Sequence, residues 1–145
     1  MQYADLGQIG LHYSNVGNKD APCVVLANSL GTDFRLCDLI LPLLPKGLRS
    51  IRYDKRGHGL SECPDPPYSM AALVKDAEML LDHIGVKDCV FVGLSIGGMI
   101  AQGLAAKRSD LVRGIVLSNT AATIGQPSIW DDRIAAVKKD GISTL

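Results

Sequence analysis

From Gln8 to Val16 apolar and polar positions alternate, with Ile9, Leu11 and Tyr13 on one side and Gly10, His12 and Ser14 on the other. A period of two belongs to a strand with one buried face, and the short run Tyr3 to Leu6 is placed to pair with it antiparallel. Gly17-Asn18-Lys19-Asp20 supplies turn chemistry. Cys23 to Ala27 is then apolar without a break, the pattern of a strand covered on both faces in a parallel sheet. Phe34 to Leu44 predicts a helix ended by Pro45 and Gly47, and Leu48 to Tyr53 a further strand. Ser69 is a good N-cap for a helix whose apolar face is Met70, Leu73, Val74, Ala77, Leu80, Leu81 and Ile84. Lys75, Asp76, Glu78 and Asp82 form its polar face, and Gly85 closes it. Asp88 to Gly93 predicts a strand, Ile96 to Lys107 a helix rich in small residues, Leu111 to Ser118 a strand, and Ser128 to Lys139 a last helix. A strand pair followed by β-α-β-α-β-α-β and a helix predicts an α/β fold with a mainly parallel sheet.

Composition narrows the function classes. A chain of 145 residues, 47% hydrophobic and 21% charged, suits about one domain with a real core. Lys plus Arg and Asp plus Glu number 15 each, so no basic field calls for nucleic acid, and 5% aromatics make a poor base-stacking surface. Met1 leads straight into polar Gln2 and Tyr3, which predicts no secretory leader. The apolar runs fall short of the ~20 residues of a membrane helix, so no membrane partner is expected. None of Cys23, Cys37, Cys63 and Cys89 forms a CxxC pair or has a His at metal-ligand spacing, so no metal is expected. Cys23 and Cys89 lie among apolar strand residues and are expected as buried free thiols, which suits a reducing cytoplasm.

The candidate chemistry lies in Gly93-Leu94-Ser95-Ile96-Gly97, a G-x-S-x-G set between a predicted strand and a predicted helix. A nucleophilic serine there stands on a strained turn, and glycines on either side remove the Cβ atoms that would collide. The helix N-terminus behind it favours a developing oxyanion, with the Ile96 N–H as one donor. A second donor is expected from Asn28-Ser29-Leu30-Gly31-Thr32-Asp33 after the apolar strand, where Asp33 also suits a helix cap. Asp54-Lys55-Arg56-Gly57-His58-Gly59-Leu60-Ser61 follows another strand. His58, flanked by glycines and beside Arg56, is expected to hold a loop by hydrogen bonds rather than to act as base. His12 and His83 are expected to be exposed. Gly93 to Gly98 lacks GxGxxG spacing, and no acidic residue ends the next strand, so no dinucleotide cofactor is expected.

These three stretches, in this order and spacing, resemble the N-terminal half of an α/β-hydrolase. Leu26-Ala27-Asn28-Ser29-Leu30-Gly31-Thr32-Asp33 is similar to the 3-oxoadipate enol-lactonases, in which Asn-Ser stands where many relatives have His-Gly. Ser118 to Gly125, followed by Trp130 and Arg133, resembles the same group just before its helical cap. The resemblance implies hydrolysis of the enol-lactone of 3-oxoadipate in the β-ketoadipate pathway of aromatic-compound catabolism, with no metal and no cofactor. It implies Ser95 as nucleophile, Leu30 and Ile96 as oxyanion-hole amides, Trp130 near the substrate, and Arg133 on the substrate carboxylate. It implies residues 1–125 as part of the hydrolase core and 126–145 as the start of the cap.

The match departs from the family at one point. The triad order is Ser, then Asp or Glu, then His, and no His follows Ser95. Asp110, Asp131, Asp132 and Asp140 do not fit the family's acid position. The expectation is that the chain stops early at Leu145, leaving strand Leu111 to Ser118 with an open edge. The acid and base would then come from a missing C-terminal half, in cis or from another chain. Within the same fold a general carboxylesterase or a cofactor-free perhydrolase is the alternative. A non-catalytic module that kept the serine turn by descent is the reading from another class.

Overall fold

The computed structural model describes residues 2–141; the end of the predicted cap segment, 142–145, lies outside the described residues. Strands β1 (Gln2–Asp5), β2 (Gly10–Val16), β3 (Cys23–Ala27), β4 (Arg49–Tyr53), β5 (Cys89–Leu94) and β6 (Val112–Ser118) form one sheet in the order β1-β2-β4-β3-β5-β6. β1 pairs antiparallel with β2, and β2 antiparallel with β4; every other pairing is parallel. Helices α1 (Met70–His83), α2 (Ile96–Lys107) and α3 (Pro127–Asp140) complete the framework. This is the predicted α/β architecture.

Continuous apolarity at the centre has the expected consequence. All five residues of β3 are buried, and Val25, Ile51 and Phe91 of three neighbouring strands are fully enclosed. Cys23 and Cys89 are buried free thiols facing each other in the β3–β5 register, and burial pushes the Cys89 thiol up to about 12. α1 adds Leu73, Ala77, Leu80 and Leu81 to this core, and the Ser69 hydroxyl caps it by accepting from the Ala72 N–H at 3.1 Å.

Three expectations fail for physical reasons. Phe34 to Leu44 is not an α-helix but two 3₁₀ turns, Phe34–Cys37 and Leu41–Leu43. Pro42 has no N–H for the Asp38 carbonyl and disfavours helical geometry at Leu41. The N-terminal half of β2 is covered on both faces, so His12 is buried, not exposed: Phe34 stacks on its ring with centroids 4.9 Å apart. On α1, Asp76 and Glu78 are buried rather than solvated. The Arg56 guanidinium grips the Asp76 carboxylate through two hydrogen bonds of 2.6 Å. Lys107 at 2.5 Å, with Lys75 and Arg108 at 3.3 Å, surrounds Glu78 and holds its carboxyl below the usual range. His83 is exposed, as expected. Among the described residues β6 is an edge strand, with Val116 half exposed.

The inward-facing acid gives a test. Asp76→Ala leaves the largely buried Arg56 charge without its partner and is expected to lower unfolding free energy by about 3–5 kcal/mol. Lys75→Ala, at the half-exposed end of the other pair, is expected to change it by less than about 1 kcal/mol. Urea titration of both variants against the parent measures the difference.

Candidate active site

Parallel pairing aligns Ala27 of β3 with Gly93 of β5, so both strands deliver their following residues to the same sheet edge. β5 runs into Leu94 and then Ser95, whose backbone turns to φ 55°, ψ −119° before α2 begins at Ile96. A left-handed φ on a residue with a side chain is strained and needs outside support. The Ser95 N–H donates to the Ser118 carbonyl at 2.9 Å, and the Thr120 hydroxyl donates to the Ser95 carbonyl at 2.7 Å. A Cβ on Gly93 would overlap the Gly97 carbonyl, and one on Gly97 would overlap that of Ala27. Both glycines are therefore required by close backbone approach. The Ser95 hydroxyl caps no backbone N–H and has no hydrogen-bond partner among the described residues. Ile96 opens α2, where a first-turn N–H finds no carbonyl within its own helix.

The neighbouring loop, 28–32, is fixed from below by a buried cation. Lys55 is 1% exposed, and its ammonium donates to Asn28 Oδ1 at 2.8 Å, the Ser29 carbonyl at 3.0 Å and the Asn28 carbonyl at 3.2 Å. Burial pulls the Lys55 pKa down to about 8 against the opposing pull of Asp54, and the three oxygen acceptors around its nitrogen match the three donors of the charged form. The Asn28 amide donates to the Thr32 hydroxyl at 3.1 Å and to the Thr32 carbonyl. The Thr32 hydroxyl donates to the Ser29 carbonyl at 2.8 Å. Asp33 caps the following turn, and the Arg35 guanidinium holds its carboxyl at about 2.

His58 holds this loop from the other side, as expected. Its Nε2 accepts from the Gly31 N–H at 3.1 Å, and Nδ1 lies 3.0 Å from the Arg56 carbonyl, which assigns the proton to Nδ1. None of the three histidines bonds to Ser95: His12 meets Asp54 at 2.7 Å, and His83 lies exposed at the end of α1.

A cavity of about 540 Å³ opens beside the loop, lined among others by Leu30, Gly31, His58, Trp130, Arg133 and Ile134. The Arg133 guanidinium lies 5.3 Å from the Trp130 ring centre, and the indole N–H donates to the Ile124 carbonyl at 2.6 Å. Leu30, Trp130 and Arg133 thus meet at one cavity, while Ser95 and Ile96 stand at the α2 terminus and are not among its lining residues. Sequence reading missed Lys55, because no periodicity marks a lysine that follows a strand and turns inward.

Comparison with known proteins places these observations. A family model described as the alpha/beta hydrolase fold matches residues 22–139. The chain is 33% identical over 137 residues to 3-oxoadipate enol-lactonase 2 of Acinetobacter baylyi, covering 94% of this chain and 51% of that protein. It is 32% identical to 3-oxoadipate enol-lactonase 1 of the same organism, covering 89% of this chain and 48% of that one. The solved enol-lactonase of Burkholderia xenovorans LB400 superposes with a TM-score of 0.94 at 39% identity, over 99% of this chain and 56% of that one. The chain spans about half the length of the curated relatives it matches.

His58 gives this region a pH signature. Burial lowers its pKa from 6.5, the Lys55 charge acts in the same direction, and the Arg56 carbonyl and Asp54 oppose them. The unfolded chain therefore takes up the proton first as pH falls. The stabilising contribution is present above about 6.5 and is lost as pH drops through the lower folded value. Protonated Nε2 also turns a donor against the Gly31 N–H. Unfolding free energy and Gly31 amide protection are expected to fall together below pH 6.5. His58→Gln is expected to flatten that part of the urea-derived stability curve.

Proposed function

This chain belongs to the alpha/beta-hydrolase fold family, and from that premise we propose that it carries the nucleophile and oxyanion hole of a serine hydrolase acting on a small lactone or carboxylic ester. The observation that carries the reading is Ser95: a strained left-handed residue between strand and helix, with an unengaged hydroxyl. Enol-lactonase relatives at 32–33% identity favour an enol-lactone such as that of 3-oxoadipate, and so a place in aromatic-compound breakdown. The unpaired Cys23 and Cys89 thiols suit a reducing, cytoplasmic setting.

In the proposed reaction Ser95 Oγ attacks the acyl carbon and its proton passes to a His outside these 145 residues, in cis or from another chain. The Leu30 and Ile96 N–H groups hold the tetrahedral oxyanion. Collapse breaks the ring C–O bond, the enol oxygen takes the proton, and the acyl group stays on Ser95. Water then adds to that acyl carbon, and release of Ser95 completes the carboxylic acid. Trp130 packs beside the substrate, and Arg133 pairs with its free carboxylate. No part of this needs a metal or a cofactor.

The protein expressed from its natural reading frame, treated with a fluorophosphonate and mapped by mass spectrometry, is expected to be labelled on Ser95. Ser95→Ala is expected to abolish labelling and to lower enol-lactone turnover by about 10,000-fold or more. An unlabelled Ser95 in the folded protein overturns the reading. Arg133→Ala is expected to raise KM by about 10-fold or more for the carboxylate-bearing lactone and to leave a neutral aryl ester unaffected. Faster turnover of the aryl ester than of the lactone favours a general carboxylesterase. The lack of a histidine partner for Ser95 among the described residues favours a second reading, a non-catalytic module of the same fold. Lactone turnover that disappears in Ser95→Ala excludes it.

A further inference from the structure

The proposed reaction leaves unexplained why a lysine is fully enclosed beneath the loop that bears the second oxyanion donor. Lys55 lies two residues past β4, and the oxygens it meets belong to Asn28 and Ser29 directly after the neighbouring strand β3. The ammonium carries three N–H groups and meets three oxygens, so every donor is matched.

One of those oxygens has a special position. The Ser29 carbonyl and the Leu30 N–H belong to the same peptide unit, and that unit is trans. In a trans peptide the C=O and N–H point in opposite directions. The Ser29 oxygen is held by Lys55 at 3.0 Å and by the Thr32 hydroxyl at 2.8 Å. Two donors on the oxygen fix the peptide plane and therefore the direction of the Leu30 N–H. That N–H makes no hydrogen bond among the described residues. A cation on the oxygen side also draws electron density from the nitrogen and makes the N–H a stronger donor. His58 secures the next N–H, that of Gly31, and so prevents the loop from turning as a unit.

We propose that Lys55 is a positioning residue of the oxyanion hole: with Thr32 it clamps the Ser29–Leu30 peptide so that the Leu30 N–H is aimed and polarised toward a developing negative charge. The inference rests on the reading of Ser95 and Leu30 given above. Lys55 touches no substrate; it acts through the peptide. The clamp matters most when the carbonyl oxygen becomes an anion, so its loss falls on kcat rather than on KM.

The test uses the protein expressed from its natural reading frame, assayed at pH 7, where Lys55 is charged, with Ser95→Ala as control. Lys55→Met keeps the length of the side chain and removes the charge and the donors. It is expected to lower kcat for the lactone by about 10- to 100-fold, with KM within about threefold of the parent. Affinity for phenylboronic acid, whose tetrahedral adduct with Ser95 carries an anionic oxygen, is expected to fall by a similar factor. Hydrogen exchange in residues 28–32 is expected to speed up while α2 keeps its protection. Should Lys55→Met fail to fold, Thr32→Val removes the second donor to the Ser29 oxygen. It is expected to lower kcat by about three- to tenfold, with Thr32→Ser restoring it.

A folded Lys55→Met with unchanged kcat and boronate affinity, or with only KM raised, overturns the inference and leaves the Ser95 reading intact. An unchanged kcat in Thr32→Val does the same where Lys55→Met does not fold. Full turnover in Ser95→Ala overturns the reading of the site and the inference with it.

Discussion

Two adjacent charges directly after β4 turn into the protein, and the loops around the site depend on them. Asp54 and Lys55 are each 1% exposed. The Asp54 carboxylate accepts from the Phe34 N–H at 2.8 Å, the Leu60 N–H at 3.1 Å and His12 at 2.7 Å. Lys55 donates to three oxygens of Asn28 and Ser29. Burying an ion costs several kcal/mol, and well-packed apolar residues would stabilise a fold more simply. What the pair supplies is geometry. One point on the sheet fixes the loop after β3, the turn at Phe34 and the loop through Leu60, because each has given a backbone group to the same two side chains.

The serine turn is built differently, from the absence of side chains. Gly93 and Gly97 let β5, α2 and the end of β3 approach at backbone distance. The end of β6 supplies the rest, through the Ser118 carbonyl and the Thr120 hydroxyl. Asn119 between them is also left-handed, with φ 45° against 55° at Ser95. Two positive-φ residues thus follow directly on the last β5–β6 pair, Leu94 with Ser118. Strain of this kind persists only where neighbouring structure over-determines it. Here the covering sheet and the helix do so together.

What could be read from the chain follows the same division. Features set by local pattern were legible: the unbroken apolar run of β3, the capped amphipathic α1, and the glycines that bracket Ser95. Features set by a charge finding a distant partner were not. His12 alternates with apolar neighbours as an exposed residue would, but its ring lies under Phe34 and against Asp54. Asp76 and Glu78 sit at polar helical positions, yet Arg56 and Lys107 reach in to meet them. The period of a helix says which side a residue is on, not whether another element covers that side. Phe34 to Leu44 failed for a local reason that apolar periodicity conceals, the proline in its last turn.

The two walls of the cavity are held to very different degrees. Leu30, Gly31 and His58 on one wall are tied to β3 and β4 through Lys55, Asn28 and Asp54. Trp130 and Arg133 on the other belong to α3, in which no described side chain is buried. The hydrogen bond of the Trp130 indole N–H is a local one, to the Ile124 carbonyl in the segment that leads into α3. A wall anchored by buried ions transmits any substitution to the loop it holds. A wall carried on an uncovered helix can change its side chains with little effect on the peptide groups opposite. On the proposed reading, recognition of a substrate's distal end is therefore free to vary on α3, while the peptide groups proposed to face the reacting carbonyl stay fixed by the sheet.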